Sequence, residues 1–255
     1  MHILVTNDDG VQAPGLLALA QAIRPLGRIT VLAPDRNWSA SGHVKTLDRP
    51  LRVKEVELAD GSPALATDGA PSDSVALAIL GLLPEPIDLV VSGINPGENV
   101  GHDMTYSGTV TAAMEAVISG IPGVAVSLNL PAERPRSVDY APAAGWAKRI
   151  VRSVIAEGLP VGVLLNVNIP YLPAVDILGA QITRQGTRLY LDELVRRADP
   201  RGRPYYWIGG EAPRGVPDDG TDIGALARGF VSITPLQLDL TAYGVIDSLR
   251  GRSWR

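Results

Sequence analysis

Apolar residues arrive along this chain in two alternating rhythms. HILVT near the start and RITVLAP after Gly27 are short unbroken apolar runs, the pattern of strands buried on both faces. Between them Pro14 stands at a first helical turn, and Leu16, Leu19, Ala20 and Ile23 recur at helical spacing. IDLVVSGIN, GVAVSL and VGVLLNVNIP repeat the strand pattern, while LRVKEVEL alternates like a half-exposed strand. SDSVALAILGLL reads as a helix capped by Ser72 or Asp73. SGTVTAAMEAVISG reads as another, with Val110, Ala113, Met114, Val117 and Ile118 on one face, and a third runs from about residue 140 to 157. Apolar strands separated by helices predict an α/β fold, a mostly parallel sheet covered on both faces.

Beyond Gln181 the rhythm stops. RRADPRGRPYYWIGGEAPRGVPDDGTD is rich in Gly, Pro and charge, and GFVSITPLQLDLT leads into a short terminal helix. The expectation is one domain over 1–255, with a body of roughly 1–180 and an arm and tail of roughly 181–255. Tyr205, Tyr206 and Trp207 cluster in that arm, in a chain with only 7 Tyr, 4 Trp and 1 Phe, which suits a subunit interface.

Composition narrows the function classes. With 45% hydrophobic residues in 255 there is material for a sizeable core, and a net charge of −4 implies no broad basic face for nucleic acid. The longest apolar run, VALAILGLL, is too short to cross a bilayer, and no secretory signal opens the chain, so a cytoplasmic protein without a membrane partner is expected. There is no cysteine and there are three histidines (His2, His43, His102), so oxygen atoms would be the main ligands of any metal.

In an open parallel sheet, ligands bind beyond the carboxyl ends of the strands. Those ends read VTNDD, LAPDRNWS, VVSGIN and VSLN, unusually polar for so apolar a set. Asp8 and Asp9 repel each other when ionised, and a hard divalent cation between them turns that repulsion into attraction. Asn95 and the Ser39 region are candidates to complete its shell. Ser107, Gly108 and Thr109 open an amphipathic helix directly after the Asn95 loop, and the free N–H groups of such an end suit a phosphate. Cation plus anion site is the combination for phosphoryl transfer to water. His43 and His102 fall in loops near this edge as candidate proton carriers, and His2 reads as structural. Arg196, Arg197, Arg201 and Arg203 could meet an anionic substrate or form a solvated charge run.

The stretches ILVTNDDG, APDRNWS, LVVSGIN, YSGTV, LLNVNIP, DPRGRPYYWIG, GTD and VSITPLQLDLT, in that order, resemble the SurE family of stationary-phase survival nucleotidases. The resemblance implies a Rossmann-like core with a C-terminal hairpin exchanged between subunits of a homodimer or homotetramer. It implies a metal-dependent phosphatase of nucleoside 5′-monophosphates, with 3′-monophosphates and short polyphosphate as further substrates. One Mg²⁺ or Mn²⁺ per subunit would be held by Asp8, Asp9, Ser39 and Asn95, with Asp8, Asp9 and Asn95 carrying the catalysis. One departure stands out: where the family commonly has Ser-Gly-x-Ser, this chain has Ser39-Ala40-Ser41-Gly42-His43.

Two other classes share parts of the pattern. A receiver-like signalling domain also carries an acid pair after its first strand, but needs a later phosphoacceptor Asp where this chain has SGIN. A dinucleotide-binding module wants G-x-G-x-x-G after the first strand, and NDDGVQAPG lacks it.

Overall fold

The structure, a computed structural model, describes residues 1–254, and for 211 and 212 the backbone only. The chain opens with β1 (His2–Thr6), α1 (Pro14–Ile23), β2 (Arg28–Pro34), β3 (Val53–Glu57), β4 (Pro63–Thr67) and α2 (Pro71–Leu77). Then come β5 (Leu89–Asn95), α3 (Gly108–Ile118), β6 (Gly123–Asn129), α4 (Ala141–Glu157) and β7 (Val163–Pro170). The last third adds β8 (Ala180–Ile182), β9 (Arg188–Ala198), β10 (Pro204–Gly215), α5 (Asp222–Ala227), β11 (Val231–Gln237) and α6 (Ile246–Arg250).

Nine strands form one sheet in the order β3-β4-β2-β1-β5-β6-β7-β11-β8, and β9 and β10 make a separate antiparallel pair. The centre of the large sheet, from β4 to β7, is parallel, while β3 and β11 run antiparallel to β4 and β7. Alternation along β1 feeds two cores. Ile3 and Val5 pack with Leu16, Leu19 and Ile23 of α1 and with Ala147 and Val151 of α4. Leu4 faces the other way, onto Val75 of α2 and Ala112 and Ala116 of α3. These are three layers, with an apolar stripe from each helix burying one side of the sheet. From β1 the chain runs first to β2 and β4 on one flank, then returns to β5, β6 and β7 on the other. The reversal between β1 and β5 opens a crevice at their carboxyl ends, the place where such sheets bind ligands.

Three local expectations need correction. The N-cap of α2 is Ala70, not Ser72 or Asp73. Asp73 stands three residues into the helix, where its carboxylate accepts the Ala70 N–H (2.8 Å) and both the N–H (2.9 Å) and hydroxyl (2.6 Å) of Thr46. The same helix gives way over Ala78–Leu82 to a wider turn in which Gly81 adopts φ +113°. Ile118 is exposed, because α3 ends there and its final turn projects past the sheet.

The tail divides. β11 and β8 extend the large sheet, and Thr183, Ser232 and Thr234 join them through hydroxyl contacts of 2.8 Å. The β9–β10 hairpin leaves Tyr205, Tyr206, Trp207 and Ile208 exposed, with the Arg196 guanidinium over the Tyr206 ring. Among the described residues no helix is long and apolar enough to cross a membrane.

Candidate active site

The first strand stops at Thr6 because the next residues form a braced turn. The Asn7 amide donates to the Gly10 carbonyl (3.0 Å), and the Gly10 N–H donates back to Asn7 Oδ1 (3.2 Å). Gly10 adopts φ +104°, a conformation that a side chain disfavours. The turn releases Asp8 and Asp9 from strand alternation, so that both line one cavity of about 280 Å³ with Ser39, Asn95, Ser107 and Arg134. The loop after β2 is drawn in by a Trp38 N–H donating to the Asp8 carbonyl (2.7 Å).

Asp8 is buried against the start of α3. The Thr109 hydroxyl donates to its Oδ1 at 2.5 Å. A Cβ on Gly108 would lie 2.6 Å from Asp8 Cβ and 2.9 Å from Oδ2, so only glycine lets the helix come this close. Burial pushes the Asp8 pKa up, overriding the hydroxyl and backbone N–H groups of Thr109 and Gly108 that favour its charged form. Asp9 is pushed up to about 7, first by burial and then by the Asp8 charge, with Arg134 opposing. Its Oδ2 is buried without a hydrogen-bond partner.

These observations test whether a cation fits. A buried carboxylate oxygen lacking any donor, beside a second carboxylate that burial also disfavours, is a pair that positive charge would stabilise. Among the described residues no group of three or more His, Cys, Asp or Glu side chains is placed to hold a metal, so the remaining donors would be neutral oxygens. The Asn95 amide nitrogen donates to the Gly97 carbonyl (2.7 Å), which leaves its oxygen as the free atom; a register shift between Ser92 and Asn95 re-aims this end of β5. Ser39 is exposed, its N–H donating to Asn37 Oδ1 (2.7 Å). Two carboxylates, an amide oxygen and a hydroxyl are a fitting set for Mg²⁺ or Mn²⁺ completed by water.

A model of the family described as survival protein SurE matches residues 3–192. The chain belongs to the SurE family. It is 56% identical to 5′-nucleotidase SurE of Herpetosiphon aurantiacus over 254 residues, covering 100% of this chain and 99% of that one. Identity with 5′-nucleotidase SurE of Chloroflexus aggregans is 52%, covering 100% of both chains. The crystal structure of the SurE protein from Aquifex aeolicus aligns with a TM-score of 0.82 at 41% identity, covering 98% of each chain.

Set against this SurE fold, the other expected residues separate. Ser107 lines the cavity, and its hydroxyl accepts the Val110 N–H (3.1 Å) as the cap of α3. Thr109 is fully buried with its hydroxyl on Asp8, so it faces the carboxylate and not the cavity. His43 Nε2 lies 3.0 Å from Glu115, whose other oxygen takes the Lys45 ammonium (2.8 Å), and neither His43 nor His102 lines the cavity. His2 is buried between the Pro86 carbonyl and the Thr30 hydroxyl, a structural position. Arg196, Arg197, Arg201 and Arg203 belong to the arm and do not reach the cavity.

Several contributors escaped the sequence reading. Asn166 and Asn168 alternate along β7, which puts both amides on one face. They donate to the Asn99 carbonyl (2.8 and 3.0 Å), while Asn168 Oδ1 accepts the Asn99 N–H (2.8 Å) and the Asn99 amide reaches Ser127 (2.8 Å). This buried network fixes the loop that carries Asn95. Asp222 accepts N–H groups from Gly101 (2.8 Å) and Gly186 (2.7 Å), tying the same loop to the root of the arm. Arg188 adds ion pairs to Glu98 (2.9 Å) and Asp103 (2.6 Å). The N-V-N alternation in an apolar strand was the one visible signal.

Proposed function

We propose that this cavity hydrolyses nucleoside 5′-monophosphates to nucleoside and phosphate, with one divalent cation held by Asp8, Asp9, Ser39 and Asn95. The chain is a hydrolase of the 5′-nucleotidase SurE kind, and the observation that carries the metal reading is the buried, unpartnered Asp9 oxygen beside Asp8. When bound, the ion supplies Lewis acidity toward the phosphate oxygens and toward the attacking water. The residues do the rest. Thr109 orients Asp8 and favours its charged form, so that the carboxylate stays aimed into the cavity. Asp9, with a pKa near neutrality, gives up its proton when positive charge arrives. The Ser107 hydroxyl, which accepts the Val110 N–H, keeps its own proton to donate to an equatorial phosphate oxygen, while the Gly108 and Thr109 N–H groups serve Asp8. Tyr106, exposed on the cavity wall, offers a ring on which a base of any identity can stack.

Phosphate release from a panel of nucleoside 5′- and 3′-monophosphates and short polyphosphate, with chelator and with each metal restored, tests the reading. Release that needs Mg²⁺ or Mn²⁺ supports it, and release undiminished by chelator removes the cation. The exposed aromatic arm is assigned to a homodimer or homotetramer of a cytoplasmic enzyme. Light scattering that gives a monomer mass at micromolar concentration would remove that assignment.

A further inference from the structure

Arg134 has no part in the set of residues discussed so far as ligands, yet it is the one basic side chain among the described residues that line the cavity. It belongs to the loop between β6 and α4, at the sheet edge where the substrate must enter. Its charge reaches Asp9, lowering that carboxyl's pKa, and its Nη2 lies 4.0 Å from where a Cβ on Gly97 would stand. The guanidinium therefore sits over the Asn95–Gly97 turn, beside the acid pair. Among the described residues it makes no hydrogen bond and no ion pair with another side chain, so its five donors are uncommitted. Other arginines near this rim are already engaged: Arg188 is shared between Glu98 and Asp103, and Arg36 stacks on Trp38 at 4.9 Å. Pro135 follows Arg134 directly and disfavours a helical backbone there, which limits how far the loop can carry the charge away.

We infer that Arg134 grips the phosphate of the substrate, forming paired hydrogen bonds to two of its non-bridging oxygens from its place over the Asn95–Gly97 turn. A phosphate dianion entering a cavity lined by Asp8 and Asp9 meets repulsion that one divalent ion only partly offsets. A guanidinium fork supplies the missing charge and matches the oxygens two at a time. The inference rests on the phosphatase reading, but it is tested by binding as well as by turnover.

The experiment compares Arg134→Gln, Arg134→Lys and wild type, with Arg136→Gln as control. Arg136 is exposed on the same loop and does not line the cavity. Titration calorimetry with inorganic phosphate, in the presence of Mn²⁺, reads the site without any reaction. A charge-assisted bond of this kind predicts about a 10- to 100-fold loss of phosphate affinity in Arg134→Gln. The Lys variant should recover only part of it, and Arg136→Gln should match wild type. KM for a nucleoside monophosphate should rise with the phosphate dissociation constant. Mn²⁺ affinity of the metal-stripped Gln variant should be unchanged or tighter, because a positive charge beside Asp9 has gone; a merely collapsed loop would weaken it. Phosphate affinity unchanged in Arg134→Gln, or no phosphate binding by wild type, overturns the assignment. Wild type that binds phosphate through Arg134 but hydrolyses no monophosphate would instead overturn the nucleotidase reading alone.

Discussion

Replacing Asp9 by Asn should stabilise the metal-free protein at neutral pH and abolish its response to metal. Folding raises the Asp9 pKa from 3.8 to about 7. A carboxyl whose pKa is raised on folding binds its proton more tightly in the folded state. Between pH ~4 and ~7 the folded protein then carries more protons than the unfolded chain, so stability falls as pH rises through that window and levels off above it. At about 1.4 kcal/mol per pH unit the ceiling is about 4 kcal/mol, and partial exposure of the group brings the expectation to roughly 2–4 kcal/mol. The amide of the Asp9→Asn variant has no proton to lose, so that variant should match wild type near pH ~4 and exceed it by that amount at pH ~8. Asp60 and Asp68, held below the usual carboxylate range by hydrogen bonds from Arg24 and from the Arg52 backbone, titrate below this window. The assay is urea denaturation of chelator-treated protein across that pH range, repeated with Mn²⁺, which should stabilise wild type strongly and leave the variant unchanged. Metal-free wild type whose stability is flat or rising as pH climbs through the window, or a variant that tracks it throughout, would refute the reasoning.

Three smaller perturbations follow from the same geometry. Gly108→Ala puts a methyl 2.6 Å from Asp8 Cβ, so the helix must retreat; a loss of about 1–3 kcal/mol in unfolding free energy and a large loss of turnover are expected. Thr109→Val keeps the shape but takes the donor from Asp8 Oδ1, and metal affinity measured by calorimetry should fall roughly 10–100-fold. Ala40 adopts φ +59°, a left-handed conformation that a Cβ disfavours, so Ala40→Gly should raise stability in thermal melts by about 1 kcal/mol without lowering turnover.

What the sequence discloses divides by range. Unbroken apolar runs announced the parallel strands, and Pro14 marked the start of α1, because periodicity and punctuation act within a few residues. The strand-end polarity pointed to the edge of the sheet where Asp8, Asp9, Ser39 and Asn95 line one cavity, and the braced turn at Asn7 and Gly10 accounts for how neighbouring aspartates come to share it. Contacts set by tertiary approach were silent. Thr109 reads as an ordinary helix opener until Asp8, 101 residues earlier, is seen against it. Nothing in ERPRS distinguishes Arg134 from Arg136 before α4 and β6 place that loop. Asp222 looks like a first-turn acid, yet it binds the Gly101 N–H 121 residues away. The arm hid its strands because its Gly, Pro and charge suit turns, while its pairing is satisfied within the hairpin itself.

A cation bridging two neighbouring aspartates at the switch point of the sheet is the claim on which the chemistry depends. Electron paramagnetic resonance of Mn²⁺ titrated into metal-stripped protein measures this directly. One bound ion per chain in wild type, lost in Asp8→Asn and Asp9→Asn, is the predicted result. Wild type that leaves Mn²⁺ free in solution, or an Asp8→Asn variant that holds it as tightly, would contradict it.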